Sequence, residues 1–313
     1  MSPETTAMSG TNGPGWKRAV ALFALLLLTS IVPAGMLVAV PLLVLIGLGG
    51  VRSWSLFVAT VVAMLIALAG PRDALWFAER GWAVMLGGGF AAVSLLMPRW
   101  RLTSRALTAV GGATLVGLVF FTVRAGAWAS IDWSVADRLQ AGLATWLEAM
   151  AVLRQGQPAS PALVSAVYRT IELQASVFPA VVALESMAAL GVVWWLYMRL
   201  VHRDDTGLDS VQLFRFNDHL VWLMIVGMVL VVARAGEGVT RIGANVAVFM
   251  GALYAVRGTG VFVFLSGGLS LIGYSMFALG ILFAAPLVIG FAVLLGIADT
   301  WLDLRARVGS SAA

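Results

Sequence analysis

Leu220-Val221-Trp222-Leu223-Met224-Ile225-Val226-Gly227-Met228-Val229-Leu230-Val231-Val232-Ala233 opens a stretch that stays apolar almost without interruption as far as Arg307. Its few polar residues (Arg234, Glu237, Arg241, Asn245, Arg257, Asp299, Asp303 and Arg305) fall mostly where one apolar run stops and the next begins. In hydrocarbon every backbone N–H and C=O must bond within the protein, so only helices or a closed barrel cross it. Runs rich in Leu, Ala and Val without strict alternation select helices. The stretch predicts a bilayer-embedded helical bundle.

The composition of the whole chain agrees. Its 313 residues are 61% hydrophobic and 11% charged, with a mean hydropathy of +0.96, against roughly 25% charged in soluble domains. The net charge of +5 and pI near 10.4 do not indicate a nucleic-acid partner. The basic residues sit at the ends of apolar runs, where they set topology, and form no stripe that would track phosphates. There is no cysteine, and the two histidines, His202 and His219, are far apart in sequence. The chain therefore offers no thiol nucleophile, no disulfide framework and no Cys or His metal centre. No cofactor is expected.

Residues 1–15 read as a disordered polar tail. Residues 16–123 read as the N-terminal transmembrane helices. Lys17 and Arg18 precede a first apolar run from Ala19 to Ile31, and a second, from Met36 to Leu48, contains Pro41. The spans Ser53–Ala69, Leu75–Met97 and Ala106–Val123 follow. The loop Pro98-Arg99-Trp100-Arg101-Leu102-Thr103-Ser104-Arg105 is the most basic short connection. By the positive-inside rule it is cytoplasmic.

Residues 124–175 change character. Trp133, Leu139, Leu143, Trp146, Met150 and Leu153 outline an amphipathic helix that ends at Gly156-Gln157-Pro158. Ser160 reads as an N-cap and Pro161 as the first residue of a second helix running to Leu173. This pair forms the one sizeable extramembrane element, an interfacial helical hairpin. Residues 176–307 return to spans at Val177–Leu200, Leu220–Ala233 and Ile242–Val256, then a closing hairpin of Gly260–Ala278 and Gly280–Ile297. Residues 308–313 read as a second tail. The fold class is all-α, a polytopic transmembrane bundle of about 8–10 spans of ~20 residues each, with both termini cytoplasmic.

Glu185 is the most conspicuous polar residue, because it lies well inside the span Val177–Leu200. A carboxylate near mid-membrane costs several kcal/mol unless it is protonated, paired or facing water. It reads either as a ligand or cation site or as a group that joins helices. Asn245 falls in a span, where amides bond across helices or contact ligand. Arg234, Glu237 and Arg241 form a charged cluster at one membrane face, either a cavity mouth or a solvated turn. Asp299 and Asp303, four residues apart, share one helix face, where an arginine from elsewhere can bridge them. With Arg305 they mark a helix end suited to contact with a partner. Gly87 to Gly89 and Gly267-Gly268 read as close-packing or hinge points within spans.

The segment Leu213-Phe214-Arg215-Phe216-Asn217-Asp218-His219-Leu220, the tract Ala252-Leu253-Tyr254-Ala255-Val256-Arg257-Gly258 and the closing Gly296-Ile297-Ala298-Asp299-Thr300-Trp301-Leu302-Asp303-Leu304-Arg305 together resemble the YybS-like family of bacterial inner-membrane proteins, a domain of unknown function. That family is grouped distantly with the substrate-binding components of energy-coupling-factor vitamin transporters. The resemblance implies a helical fold in the bacterial inner membrane with an embedded small-molecule cavity. The run Ala19-Val20-Ala21-Leu22-Phe23-Ala24-Leu25 lacks the Ala-x-x-x-Ala spacing through which such components dock their coupling partner.

Two function classes follow. The first is a transport-like protein that binds a small molecule near Glu185 and Asn245. The second is a non-catalytic envelope or scaffold protein that holds a membrane or cytoplasmic protein partner. The sequence leans slightly to the first. Neither a Ser/His pair, nor a zinc motif, nor an aspartate dyad at span centres suggests an enzyme.

Overall fold

The computed structural model describes residues 21, 22, 24, 33–49, 54–68, 74–153, 160–201, 211–268 and 270–311. Among them the secondary structure is helical throughout. The helices are α1 (Ala34–Gly49), α2 (Trp54–Leu68), α3 (Ala74–Leu96), α4 (Leu102–Val123), α5 (Ala125–Leu153), α6 (Pro161–Leu200), α7 (Val221–Ala233), α8 (Glu237–Leu265), α9 (Leu271–Leu302) and α10 (Leu304–Ser311). Two 3-10 turns, Val211–Leu213 and Asp218–Leu220, precede α7. The expected tail 1–15, most of the run Ala19–Ile31, the stop at 156–158 and the connection 202–210 lie outside the described residues.

The chain is an all-α bundle. Leu102–Val123, Pro161–Leu200, Glu237–Leu265 and Ser275–Leu302 are long and apolar enough to cross a bilayer. On α9 only 11% of the most apolar window is buried, so its outward leucines and phenylalanines, Leu282, Phe283 and Leu287 among them, form an apolar sleeve. In water such a surface is unfavourable; against lipid tails it is the solvated state.

Three boundaries differ from the sequence reading. The second arm of the hairpin does not stop at Leu173. Ser160 caps the helix by accepting a hydrogen bond from the Leu163 N–H at 3.3 Å, Pro161 occupies its first turn, and it continues unbroken through Pro179 to Leu200. Hairpin arm and span are one 40-residue helix.

Likewise, Ile242–Val256 and the start of the expected arm Gly260–Ala278, as far as Leu265, belong to one helix, α8, while the end of that arm, from Leu271, belongs to α9. α8 stops at Gly267-Gly268, where the Gly268 N–H donates to the Val263 carbonyl and the Gly267 N–H to the Phe264 carbonyl. Both glycines have positive φ, 69° and 100°. That double bond with a left-handed residue is the Schellman stop. This glycine pair therefore terminates a helix rather than hinging within a span. The closing hairpin is α8 against α9, and α9 is bent at Ala284 (φ −137°), two residues before Pro286.

Two cores hold the bundle. Leu37, Leu86, Phe90, Val110, Leu190 and Val193 join α1, α3, α4 and α6. Phe216, Met250, Leu253 and Tyr254 join α8 to the segment before α7. Glycine brings the last helices together. A Cβ on Gly258 would collide with the Ala292 carbonyl, and one on Gly296 with the Tyr254 carbonyl. Gly251, on the same helix, faces open space. Gly87 abuts the backbone of Pro41, whereas Gly88 meets nothing within 4 Å, so only part of the triple-glycine run is a packing point.

Gly258→Ala is expected to lower the melting temperature of the purified protein by the equivalent of about 1–3 kcal/mol, the range for overpacking a tight core. Gly251→Ala should leave it unchanged or raise it, since alanine is favoured over glycine by ~1 kcal/mol in a helix interior.

Candidate functional site

α8 carries the two polar sites of the C-terminal half. Arg241 and Asn245 lie near its start and Arg257 further along. At 1.5 Å per residue the two arginines are about 24 Å apart, close to the ~30 Å of a hydrocarbon core.

The first site repairs a helix. Pro179 has no N–H, so the Ala175 carbonyl, four residues earlier, has no ladder donor. Arg241 Nη2 donates to that carbonyl at 2.8 Å, and Arg241 Nε donates to the Ser176 carbonyl at 3.1 Å. Asn245 completes the repair. Its Nδ2 donates to the Ser176 carbonyl at 2.9 Å, and its Oδ1 accepts from the Ala180 N–H at 2.9 Å. Its second donor hydrogen goes to the Arg241 carbonyl at 2.9 Å. The side-chain amide stands in the gap as a peptide group would.

The remaining donors of Arg241 form a two-bond pair with Asp132 of α5, at 3.0 and 2.5 Å. Its guanidinium lies over Trp128 and Phe178, 5.5 and 5.9 Å from their ring centres, and those rings stack on each other 16° from parallel. Beside this site, Arg138 of α5 donates to Glu79 of α3 at 2.6 Å. Arg80 stacks on Trp76 at 3.7 Å. Glu79 is buried.

Arg234 and Glu237 do not join Arg241. Arg234 ends α7 in the left-handed conformation, φ 47°, and Glu237 opens α8; both are exposed. Among the described residues neither makes an ion pair.

The second site gathers the segments on which the family resemblance rests. Arg257, 2% exposed, donates from Nε to Asp299 Oδ2 at 2.9 Å and from Nη1 to Asp218 Oδ1 at 2.6 Å. Arg305 donates from Nη2 to Asp299 Oδ2 at 2.7 Å and from Nη1 to the Gln212 carbonyl at 2.7 Å. It reaches back because Asp303 ends α9 in the left-handed conformation, φ 43°. That turn also separates the two aspartates. Asp299 is 1% exposed and holds Arg257 and Arg305, while Asp303 is out in solvent, paired with Arg215 at 2.5 Å. Among the described residues no single arginine bridges them. Asp299 and Arg305 are engaged inside the chain, and Asp303 is the accessible member of the three.

Glu185 is 2% exposed on α6. Its neighbour Ser186 accepts a hydrogen bond from Trp82 Nε1 at 2.9 Å and donates to the Val182 carbonyl at 2.7 Å. Ser186 thus joins α6 to α3. An open depression beside Phe120, Arg124, Gly126 and Ala127 includes none of the candidate residues.

Comparison of the chain with protein-family models, with curated proteins and with solved structures finds no match.

Sequence reading missed Asp132, Arg138, Asp218 and Arg257 as partners. The sequence signal at Arg257 misleads: it stands before Gly258-Thr259-Gly260, which reads as a break between spans, whereas α8 runs on through it.

Two outcomes check these sites. Asn245→Ala is expected to destabilise the protein by about 1–3 kcal/mol, the range for buried polar groups left unpaired. In the background of Pro179→Ala, which restores the missing N–H, the loss should shrink; a double-mutant cycle by thermal or denaturant melting reads that coupling. Asp299→Asn should cost about 3–5 kcal/mol, because two buried arginines lose their counter-charge, whereas Asp303→Asn should cost about 0–1 kcal/mol.

Proposed function

We propose that this chain is a non-catalytic integral membrane protein that presents the α5–α6 hairpin to a partner protein outside the bilayer. What carries this reading is the fate of the polar residues. Asn245 and Arg241, the groups suited to line a cavity, are used on the backbone of α6. A 40-residue helix is about 60 Å long, twice the ~30 Å core. With Arg241 and Asp132 marking the interface beside Pro179, residues 180–200 span the bilayer and 161–175 project beyond it. The facing half of α5 projects alongside, with Leu143 as its buried contact and Trp146 and Val152 exposed. Resemblance to the YybS-like family supports a bacterial inner membrane, Arg305 and Arg307 after the last span support a cytoplasmic C-terminus, and the convergence of Arg215, Asp218, Arg257, Asp299 and Arg305 supports treating those residues as its structural centre.

The test is a photo-crosslinking amino acid placed at Trp146 or at Leu282 in cell membranes. The Trp146 position should give one discrete heavier adduct containing a second protein, and the lipid-facing Leu282 position should give none. A Trp146 position that yields only lipid adducts contradicts the reading.

Glu185 favours a second reading, a small-solute site within the bundle. One to two turns past Pro179, it lies about 9 Å further along α6 at 1.5 Å per residue, and it is buried. A thermal-shift screen of vitamins, nucleobases, amino acids and metal ions on wild type and Glu185→Gln separates the two. A compound that stabilises only wild type supports a solute site; equal melting of both proteins with every compound removes it.

A further inference from the structure

The basic loop between α3 and α4 is used by neither reading. Arg99 and Arg101 are exposed, and Arg105, one turn into α4, is only 8% exposed. A buried arginine normally faces a carboxylate. Arg105 instead donates from Nη2 to the Pro98 carbonyl and lies over Trp194 of α6, 5.1 Å from the ring centre. Its Nε, buried, has no hydrogen-bond partner among the described residues. No ion pair among the described residues involves Arg99, Arg101 or Arg105. The first turn of α4 adds free backbone donors, because its cap residue, Arg101, supplies no side-chain bond.

Positive charge, a buried guanidinium with an unused donor and an uncapped helix N-terminus converge on one loop. That combination suits a phosphate. What lies directly beneath decides its source. Leu95, Leu96 and Met97, the last residues before the loop, are 66%, 74% and 45% exposed, and Trp100 within it is 43% exposed. A free phosphate has no use for that apolar surface, whereas a phospholipid lays its acyl chains on it. We propose that this loop binds the headgroup phosphate of one anionic phospholipid, with Arg99, Arg101 and Arg105 as its ligands. Arg105 holds the phosphate at the α4 terminus, the two exposed arginines neutralise it from outside, and Trp100 sits at headgroup level, where indole is favoured.

The test uses the full chain in detergent, with bound lipid counted by native mass spectrometry. Phosphatidylglycerol, phosphatidylcholine of the same acyl length, and inorganic phosphate are the probes. Wild type should retain one phosphatidylglycerol and no specific phosphatidylcholine. Arg99→Gln/Arg101→Gln, which changes only exposed side chains, should melt like wild type without lipid and bind phosphatidylglycerol roughly thirtyfold more weakly, at about a fivefold effect for each arginine near the surface. Arg105→Gln should weaken binding further. Equal binding of phosphatidylcholine, or unchanged binding by the double variant, overturns the proposal. Binding of inorganic phosphate as tight as that of the lipid overturns the lipid assignment and leaves a free-anion site.

Discussion

The amide of Asn245, set between the Ser176 carbonyl and the Ala180 N–H, is the interaction on which the rest of the structure depends. α6 is the longest helix and touches both halves of the bundle, yet it contains a proline where its ladder must fail. In water the gap would be filled by solvent. Against the packed faces of α5 and α8 an unpaired carbonyl costs about 1–3 kcal/mol, so a neighbouring helix has to close it. Asn245 and Arg241 of α8 do so, and this fixes the register of α6 on α8 and the position of Asp132 on α5 together.

The same rule explains the second polar site. Asp299 is buried, and its charge is tolerable because Arg257 and Arg305 both reach it. The glycines at 258 and 296 let α8 and α9 approach closely enough for Arg257 to span the gap. Small residues and ion pairs are thus one device: close backbones shorten the reach, and the ion pair sets the register. Between the two sites, α8 packs through Met250, Leu253 and Tyr254.

Much of this was legible in the sequence, and the reasons for the rest are physical. The all-α class followed from run length and composition. The Ser160-Pro161 start was legible because a cap is a local signal. The continuation past Leu173 was not, because Pro179 normally breaks a helix and its repair comes from residues more than sixty positions away. Gly267-Gly268 has the composition of a packing motif, and only its left-handed backbone shows that it stops α8. Asp299 and Asp303 share a face on an ideal helix, and the left-handed turn at Asp303 removes one of them. Glu185 was visible as an anomaly from sequence alone, and burial places it without assigning its role. Long-range pairs such as Arg241 with Asp132 carry no spacing signal at all.

Residue-resolved hydrogen exchange at the Ala180 amide tests the central claim most directly. In wild-type protein this N–H should exchange as slowly as those of the uninterrupted helix at 188–193, and in Asn245→Ala it should exchange far faster while 188–193 stays protected. Equal protection of Ala180 in the two proteins would mean that the helix closes its own gap, and that Asn245 is not what holds α6 to α8.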